Sequence, residues 1–140
     1  DAGKINEFYF DLRTASKFNK ENKGNGFKPG IFSEPNCGIS NCIVEKGNFD
    51  LKELIKETKN GLLVIGLMGF HTCNIETGDF TLSISDAIEI KNGKLGKSVK
   101  EASFGGNFKD FLKEVQVSKE TRFFGNEIIP YLKIKDVKLI

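Results

Sequence analysis

Three cysteines and one histidine are the residues of this chain best suited to hold a metal: Cys37, Cys42, His71 and Cys73. Zinc takes thiolate and imidazole ligands in tetrahedral sets, so two pairs could in principle close one site. His71 and Cys73 are two apart and would share a face on a strand. Cys37-x4-Cys42 would add two thiolates. Neither pair has a usual zinc spacing, and free cysteine is among the most buried residue types. The plainer reading is therefore small buried thiols and a loop histidine. Acid–base chemistry would need paired carboxylates. Glu76, Asp79 and Asp86 come nearest, and the plainer reading there is a turn aspartate and a strand-edge charge. Gly24-Asn-Gly26 and Gly105-Gly106 lack the Gly-x4-Gly-Lys-[Ser/Thr] order of a phosphate loop. Residues 17–28 hold four lysines with Phe18 and Phe27. Nucleic-acid binding needs several phosphate contacts on one face, so this stretch reads as a solvated loop.

The elements that would position these residues follow from periodicity and punctuation. Residues 5–10 read as a strand, and Asp11 is placed to cap a short helix carrying Leu12, Ala15 and Phe18. Residues 20–35 are rich in Asn, Gly, Lys and Pro and read as a loop. A short strand is expected over 39–45. Asp50 should cap a second helix whose Leu51, Leu54 and Ile55 make an i, i+3, i+4 stripe, with Asn60-Gly61 ending it. Residues 62–68 form a buried-type strand. Asn74 to Gly78 should make a tight turn with a glycine at positive φ. Over 80–90, Phe80, Leu82, Ile84, Ile88 and Ile90 share one face, while Thr81, Ser83, Ser85 and Glu89 share the other. Asn92-Gly93 is a two-residue hairpin signal with its return strand over 94–100. Asn107 should cap a third helix bearing Phe108, Phe111, Leu112 and Val115. Strands over 116–124, 131–134 and 137–140 finish the chain. Helices separated by groups of hairpin strands predict an α+β fold, mainly antiparallel sheet with about three short helices.

With 140 residues, 39% hydrophobic and thirteen Phe, the chain is expected to form a single domain over 1–140 with a real core. A net charge of +2 from 21 basic and 19 acidic residues does not point to a dedicated nucleic-acid binder. No apolar run approaches the ~20 residues that span a bilayer. Three cysteines without a CxxC pair fit reduced intracellular thiols better than a disulfide framework. The opening at Asp1 reads as that of a piece of a longer protein.

A series of short motifs in fixed order adds a further reading. Asp1-Ala-Gly-Lys-Ile is followed by Asp11-x-x-x-Ala15, Gly24-Asn25-Gly26 and Asn41-x-x-x-Glu45-x-Gly47. Then come Asp50-Leu-Lys-Glu-Leu-Ile, Gly61-Leu-Leu-Val, Thr77-Gly78-Asp79-Phe80, Lys91-Asn92-Gly93, Gly106-Asn107-Phe108-Lys109-Asp110 and Pro130-x-Leu132-x-Ile134. No one of these is specific, but the ordered set resembles the C-terminal domain of the TldD/PmbA family. This is also called the DNA-gyrase-modulator or microcin-processing family.

The resemblance implies a family of cytoplasmic zinc peptidases and their partner subunits. Zinc-bearing members carry a His-Glu-x-x-x-His helix in the half that precedes this domain, and a late Cys ligand within it. This chain has one His, and residues 118–129 hold no Cys, only the carboxylates Glu120 and Glu127. The resemblance therefore implies a PmbA (TldE) partner-type domain: non-catalytic, with no cofactor of its own, and with zinc in the catalytic subunit. Leu82-Ser-Ile-Ser-Asp-Ala87 is closer to the TldD side. Expected partners are a TldD-like subunit or a second copy of the chain, and an unfolded peptide substrate; no membrane or nucleic acid is expected. The expected contact surface is Gly66, Gly69, Asn74, Thr77, Gly78, Asp79, Ser83 and Ser85, with an exposed sheet edge able to align an extended peptide. The alternative class is a DNA-gyrase-associated or nucleic-acid-associated regulatory module.

Overall fold

The computed structural model describes residues 5–140. The expected opening turn at 1–4 lies outside the described residues. Contacts between Cα atoms divide the chain into two compact units, one of residues up to 43 with 123–128, the other of 44–122 with 129–140.

In the first unit, helix α1 (Leu12–Phe18) starts where the sequence places it. The Asp11 carboxylate accepts from the Thr14 N–H at 2.7 Å, and the Thr14 hydroxyl reaches back to the Asp11 N–H, a reciprocal cap. Asn19, left-handed at φ 51°, ends the helix. Strands β1 (Gly26–Phe27), inside the expected loop, and β2 (Asn36–Cys37), just past its end, make a two-residue antiparallel pair. Strand β3 (Cys42–Ile43) runs parallel to the start of β9 (Glu127–Lys133), with Cys42 opposite Glu127. Two expectations need correction. Residues 5–10 form no strand: no neighbouring strand takes up their backbone, and Ile5, Phe8 and Tyr9 are exposed. The strand expected over 39–45 contracts to two residues, because only 42–43 reach a partner.

The second unit holds helix α2 (Leu51–Lys56), strands β4 (Asn60–Met68), β5 (Asp79–Lys91), β6 (Lys94–Val99) and β7 (Ala102–Asn107), and helix α3 (Phe108–Phe111). It also holds most of strand β8 (Gln116–Phe124) and of β9, neighbours in a second sheet. In the main sheet the long β5 pairs antiparallel with β4 along one side. On its other side it pairs with β7 over Asp79–Ile84 and with β6 over Ala87–Lys91. The expected α+β fold, mainly antiparallel with three short helices, is what forms. The β3–β9 pair and a bridge between Phe49 and Ser118 are its parallel elements.

Leu54, Leu82, Ile84, Ala87 and Ile90, with Pro130, are the buried apolar residues described in this unit. The alternation in β5 therefore reports the core face, with one addition. Ala87 lies on the opposite parity and is 0% exposed. A bulge at Val64–Gly66 of β4 shifts the register beside it. Beyond the sheet, the Phe80 ring packs edge-on against Phe104 (centroids 5.8 Å) and Phe111 (5.1 Å).

Five features differ from expectation. The strand expected over 131–134 is β9, which already starts at Glu127 and ends at Lys133, because Glu127 and Ile128 pair with β3. Asn60 and Gly61 do not cap α2; they pair with Lys91 and Ile90 as the first residues of β4. Helix α3 stops at Phe111, since Phe111 alone reaches the aromatic cluster while Leu112 stays exposed. Strand β7 has no signal in the sequence, because Gly105 and Gly106 depress strand propensity. They are required there: a Cβ on Gly106 would meet the Phe111 ring at 2.9 Å, and one on Gly105 the Phe80 carbonyl at 3.1 Å. Residues 137–140 form no strand, only a bridge from Leu139 to Phe104.

Candidate partner-contact surface

The expected contact residues fall at one end of the main sheet, where β4 leaves and β5 begins. Gly66 sits in the β4 bulge opposite Asp86, and a Cβ there would strike the Ser85 hydroxyl. Gly69, at φ 93°, opens a 3-10 turn over Phe70–Thr72. The Thr72 hydroxyl closes this turn onto the sheet, placed 2.8 Å from the Gly69 carbonyl and 3.0 Å from the Thr81 carbonyl. His71 therefore lies in a 3-10 turn and Cys73 caps it, so the expected strand placement of this pair is corrected.

The next turn is pinned by side chains. Asn74 Oδ1 accepts from the N–H groups of Glu76 (3.0 Å) and Thr77 (3.1 Å). Gly78 stands at φ 85°, the positive-φ glycine that the turn requires. The Thr77 hydroxyl donates to Asp79 Oδ2 at 2.7 Å. Asn107, at the end of β7, donates through Nδ2 to the Thr77 carbonyl (3.1 Å) and to Asp79 Oδ1 (2.8 Å). Its own Oδ1 accepts the Lys109 N–H at 3.0 Å and so caps α3. One carboxamide thus ties a loop, a strand end and a helix start together. The Thr77 hydroxyl, then the Asn107 carboxamide, hold the Asp79 carboxyl below its ordinary range.

Asn74, Thr77, Gly78 and Asp79 are therefore brought together. Thr81 and Ser83 are exposed on the outer face of β5, and Ser85 is half-buried beside Gly66. Sequence reasoning missed Thr72 and Asn107 as members of this region. Asn107 has a signal, its place in Gly-Asn-Phe-Lys-Asp, but that local pattern predicts only a helix cap. Around the pinned turn stand exposed apolar side chains: Met68 (56% accessible), Phe70 (61%) and Ile75 (96%). Strand β4 is an edge of its sheet.

Two of the three carboxylates considered for acid–base work have partners of their own. Asp86 accepts from the Ser98 hydroxyl at 3.2 Å, and Asp79 is committed to Thr77 and Asn107. Cys37 Sγ lies 3.1 Å from the Asp11 N–H and 3.5 Å from the Thr14 hydroxyl, in the cap of α1. Among the described residues no three His, Cys, Asp or Glu side chains are grouped as a metal site. No described helix is long and apolar enough to cross a membrane.

Comparison with known proteins bears on this surface. A family model described as the PmbA/TldA metallopeptidase C-terminal domain matches residues 1–140. An uncharacterized protein of Methanocaldococcus jannaschii is 31% identical, over 95% of this chain and 30% of its own length. A protein of Archaeoglobus fulgidus named a metalloprotease is 29% identical, over 86% of this chain and 28% of its own length. The chain thus spans less than a third of these relatives. Among solved structures, TldE of Thermococcus kodakarensis superposes with a TM-score of 0.86 at 29% identity, covering 98% of this chain and 32% of that one. A Thermotoga maritima protein described as a candidate modulator of a DNA gyrase gives 0.80 at 26% identity, covering 99% and 31%.

Proposed function

Since the chain belongs to the TldD/PmbA family, as its metallopeptidase C-terminal domain, we propose that it is the C-terminal domain, residues 1–140, of a PmbA/TldE-like subunit. That subunit acts in the cytoplasm with a TldD-like zinc peptidase in proteolysis or peptide maturation. This domain supplies wall and contact surface, not ligands. The observation that carries the reading is the braced turn at 74–79 beside exposed Met68, Phe70 and Ile75. A surface held rigid by Asn107 and left apolar is suited to docking. The absence of Cys, His and Asp from residues 118–129 supports a non-catalytic role, and the likeness to TldE supports the branch. Relatives named metalloproteases keep the catalytic branch as the outcome to be tested against.

The test mixes the chain with a TldD-like subunit and measures complex formation by sedimentation, with zinc counted by elemental analysis. The expected result is a heterodimer weakened at least tenfold by Phe70→Asp or Ile75→Asp, with no stoichiometric zinc on this chain. A chain that holds one zinc and cleaves peptide alone would overturn the reading. So would a complex indifferent to both substitutions.

A further inference from the structure

The fold concentrates positive charge that the sequence scatters. Asn92 N–H donates to the Lys59 carbonyl at 2.6 Å and Gly93 N–H to the Thr58 carbonyl at 2.9 Å. Gly93 sits so close to the Lys56 carbonyl that no Cβ would fit. These contacts seat the β5–β6 hairpin tip against the end of α2. Lys91 and Lys94 face each other across the hairpin, and Asn60, next to Lys59, pairs with Lys91. Lys52, Lys56, Lys59, Lys91, Lys94 and Lys97 are all exposed and, among the described residues, none is in an ion pair. The acids nearby are Glu53, Glu57, Glu89 and Asp86, which accepts from the Ser98 hydroxyl at 3.2 Å. Glu57 lies 3.8 Å from Lys133, and the Glu89 carboxylate lies across Gly96. Six lysines against these four acids leave an excess of +2 at this end, as much as the whole chain's net charge.

We infer that this end of the second unit binds the phosphate backbone of duplex DNA, without reading sequence. The chemistry of the patch selects among polyanions. Protein interfaces are depleted in lysine and enriched in aromatics and arginine at their centre; these two segments supply lysines with Asn92, Gly93, Gly96 and Ser98 and no aromatic or arginine. Single-stranded nucleic acid is held by aromatic stacking platforms, which these segments lack. Duplex RNA is recognised by shape and by 2′-hydroxyl contacts beside its phosphates, and the test below separates it from duplex DNA. Lysine is a hydrated point charge, suited to phosphates that keep their water. The inference is independent of the peptidase-partner reading, which concerns the opposite end of β5.

The experiment is fluorescence anisotropy of a labelled 20-base-pair DNA with the full chain. With about four phosphate contacts, affinity should fall ~150-fold between 50 and 200 mM salt. Lys91→Glu/Lys94→Glu should weaken binding at least tenfold at 50 mM salt, and the milder Lys91→Gln/Lys94→Gln should weaken it less. Lys17→Glu/Lys20→Glu, at the end of α1 and just after it in the other unit, should leave it unchanged. Circular dichroism checks that each variant is folded. The inference is overturned by equal binding of wild type and both hairpin variants. Tighter binding of single strands, duplex RNA or polyglutamate than of duplex DNA would also overturn it, the last in favour of an acidic protein partner.

Discussion

The backbone N–H of Leu51 donates to Oε2 of Glu120, 3.0 Å away and 69 residues further along the chain. The local candidate for this cap, Asp50, makes no side-chain hydrogen bond to α2. Its carboxylate instead accepts from Lys119 at 3.2 Å. A helix cap is thus supplied by the second sheet, and the start of α2 depends on β8 being in place. Glu120→Ala should cost about 1 kcal/mol, in the range of a lost N-cap. Asp50→Ala removes an exposed ion pair and should cost less. Urea unfolding of the two variants compares them directly; a larger loss at Asp50 would return the cap to the local residue.

Asn107 carries more bonds than its exposure suggests. Asn107→Ala removes the ties to Thr77, Asp79 and Lys109 at once. Amide hydrogen exchange should quicken several-fold at Asp79, Phe108 and Lys109, with little change at Leu82 or Ile84. Uniform exchange across β5 would show that the turn is held by its own backbone.

The acid limb of stability should carry two depressed carboxyls. Thr14, through its hydroxyl and then its N–H, lowers the affinity of Asp11 for protons; Thr77 and Asn107 do so for Asp79. A carboxyl depressed in the folded state stabilises fully above its unfolded value, and the effect disappears as pH falls through its folded value. Melting temperatures of the wild type should therefore drop below about pH 4. Asp79→Asn should lower the neutral-pH plateau and flatten that drop. An acid limb unchanged in slope would mean that Asp79 titrates normally.

Core and surface positions of β5 should separate cleanly. Leu82, 8% exposed, should lose about 2–5 kcal/mol on change to Ala. Exposed Ser83→Ala should be near neutral. Ala87→Leu should also cost about 1–3 kcal/mol by overpacking. Equal losses at Leu82 and Ser83 would contradict a one-sided sheet in this segment.

Two glycines at positive φ should respond differently. Gly125, at φ 58°, has open space where a Cβ would go, so Ala there meets only backbone strain, about 1 kcal/mol. Gly93, at φ 74°, has the Lys56 carbonyl in that place and should cost clearly more. Comparable melting temperatures for the two alanine variants would show that the helix end yields.

The central sheet was legible because β5 alternates over a long run and Asn92-Gly93 marks its turn; φ values of 49° and 74° fit a two-residue hairpin. The caps at Asp11 and Asn107 were legible for the same local reason. What was hidden depends on distant partners. Residues 5–10 have strand-like composition but, among the described residues, no strand that pairs with them, while β7 has a pairing strand but two glycines. The turn at 74–79 could be seen from Asn74 and Gly78. Its brace by Asn107 could not, because it requires knowing that β7 lies beside β5. The basic end of the second unit was invisible for the same reason: its lysines come from two segments joined only by the hairpin contact.

The β3–β9 pairing also sets an order of events during synthesis. Asn126 donates to the Ser40 carbonyl, 86 residues back in the chain. At ~5–20 residues per second, about 4–17 s pass between the emergence of these two residues. The β4–β5–β6 meander can close in that interval from its own local contacts. Strand β3 cannot, so Cys42 and Ile43 wait without a strand partner until residues 127–128 appear. A nascent or truncated chain lacking those residues would present this segment to a chaperone first.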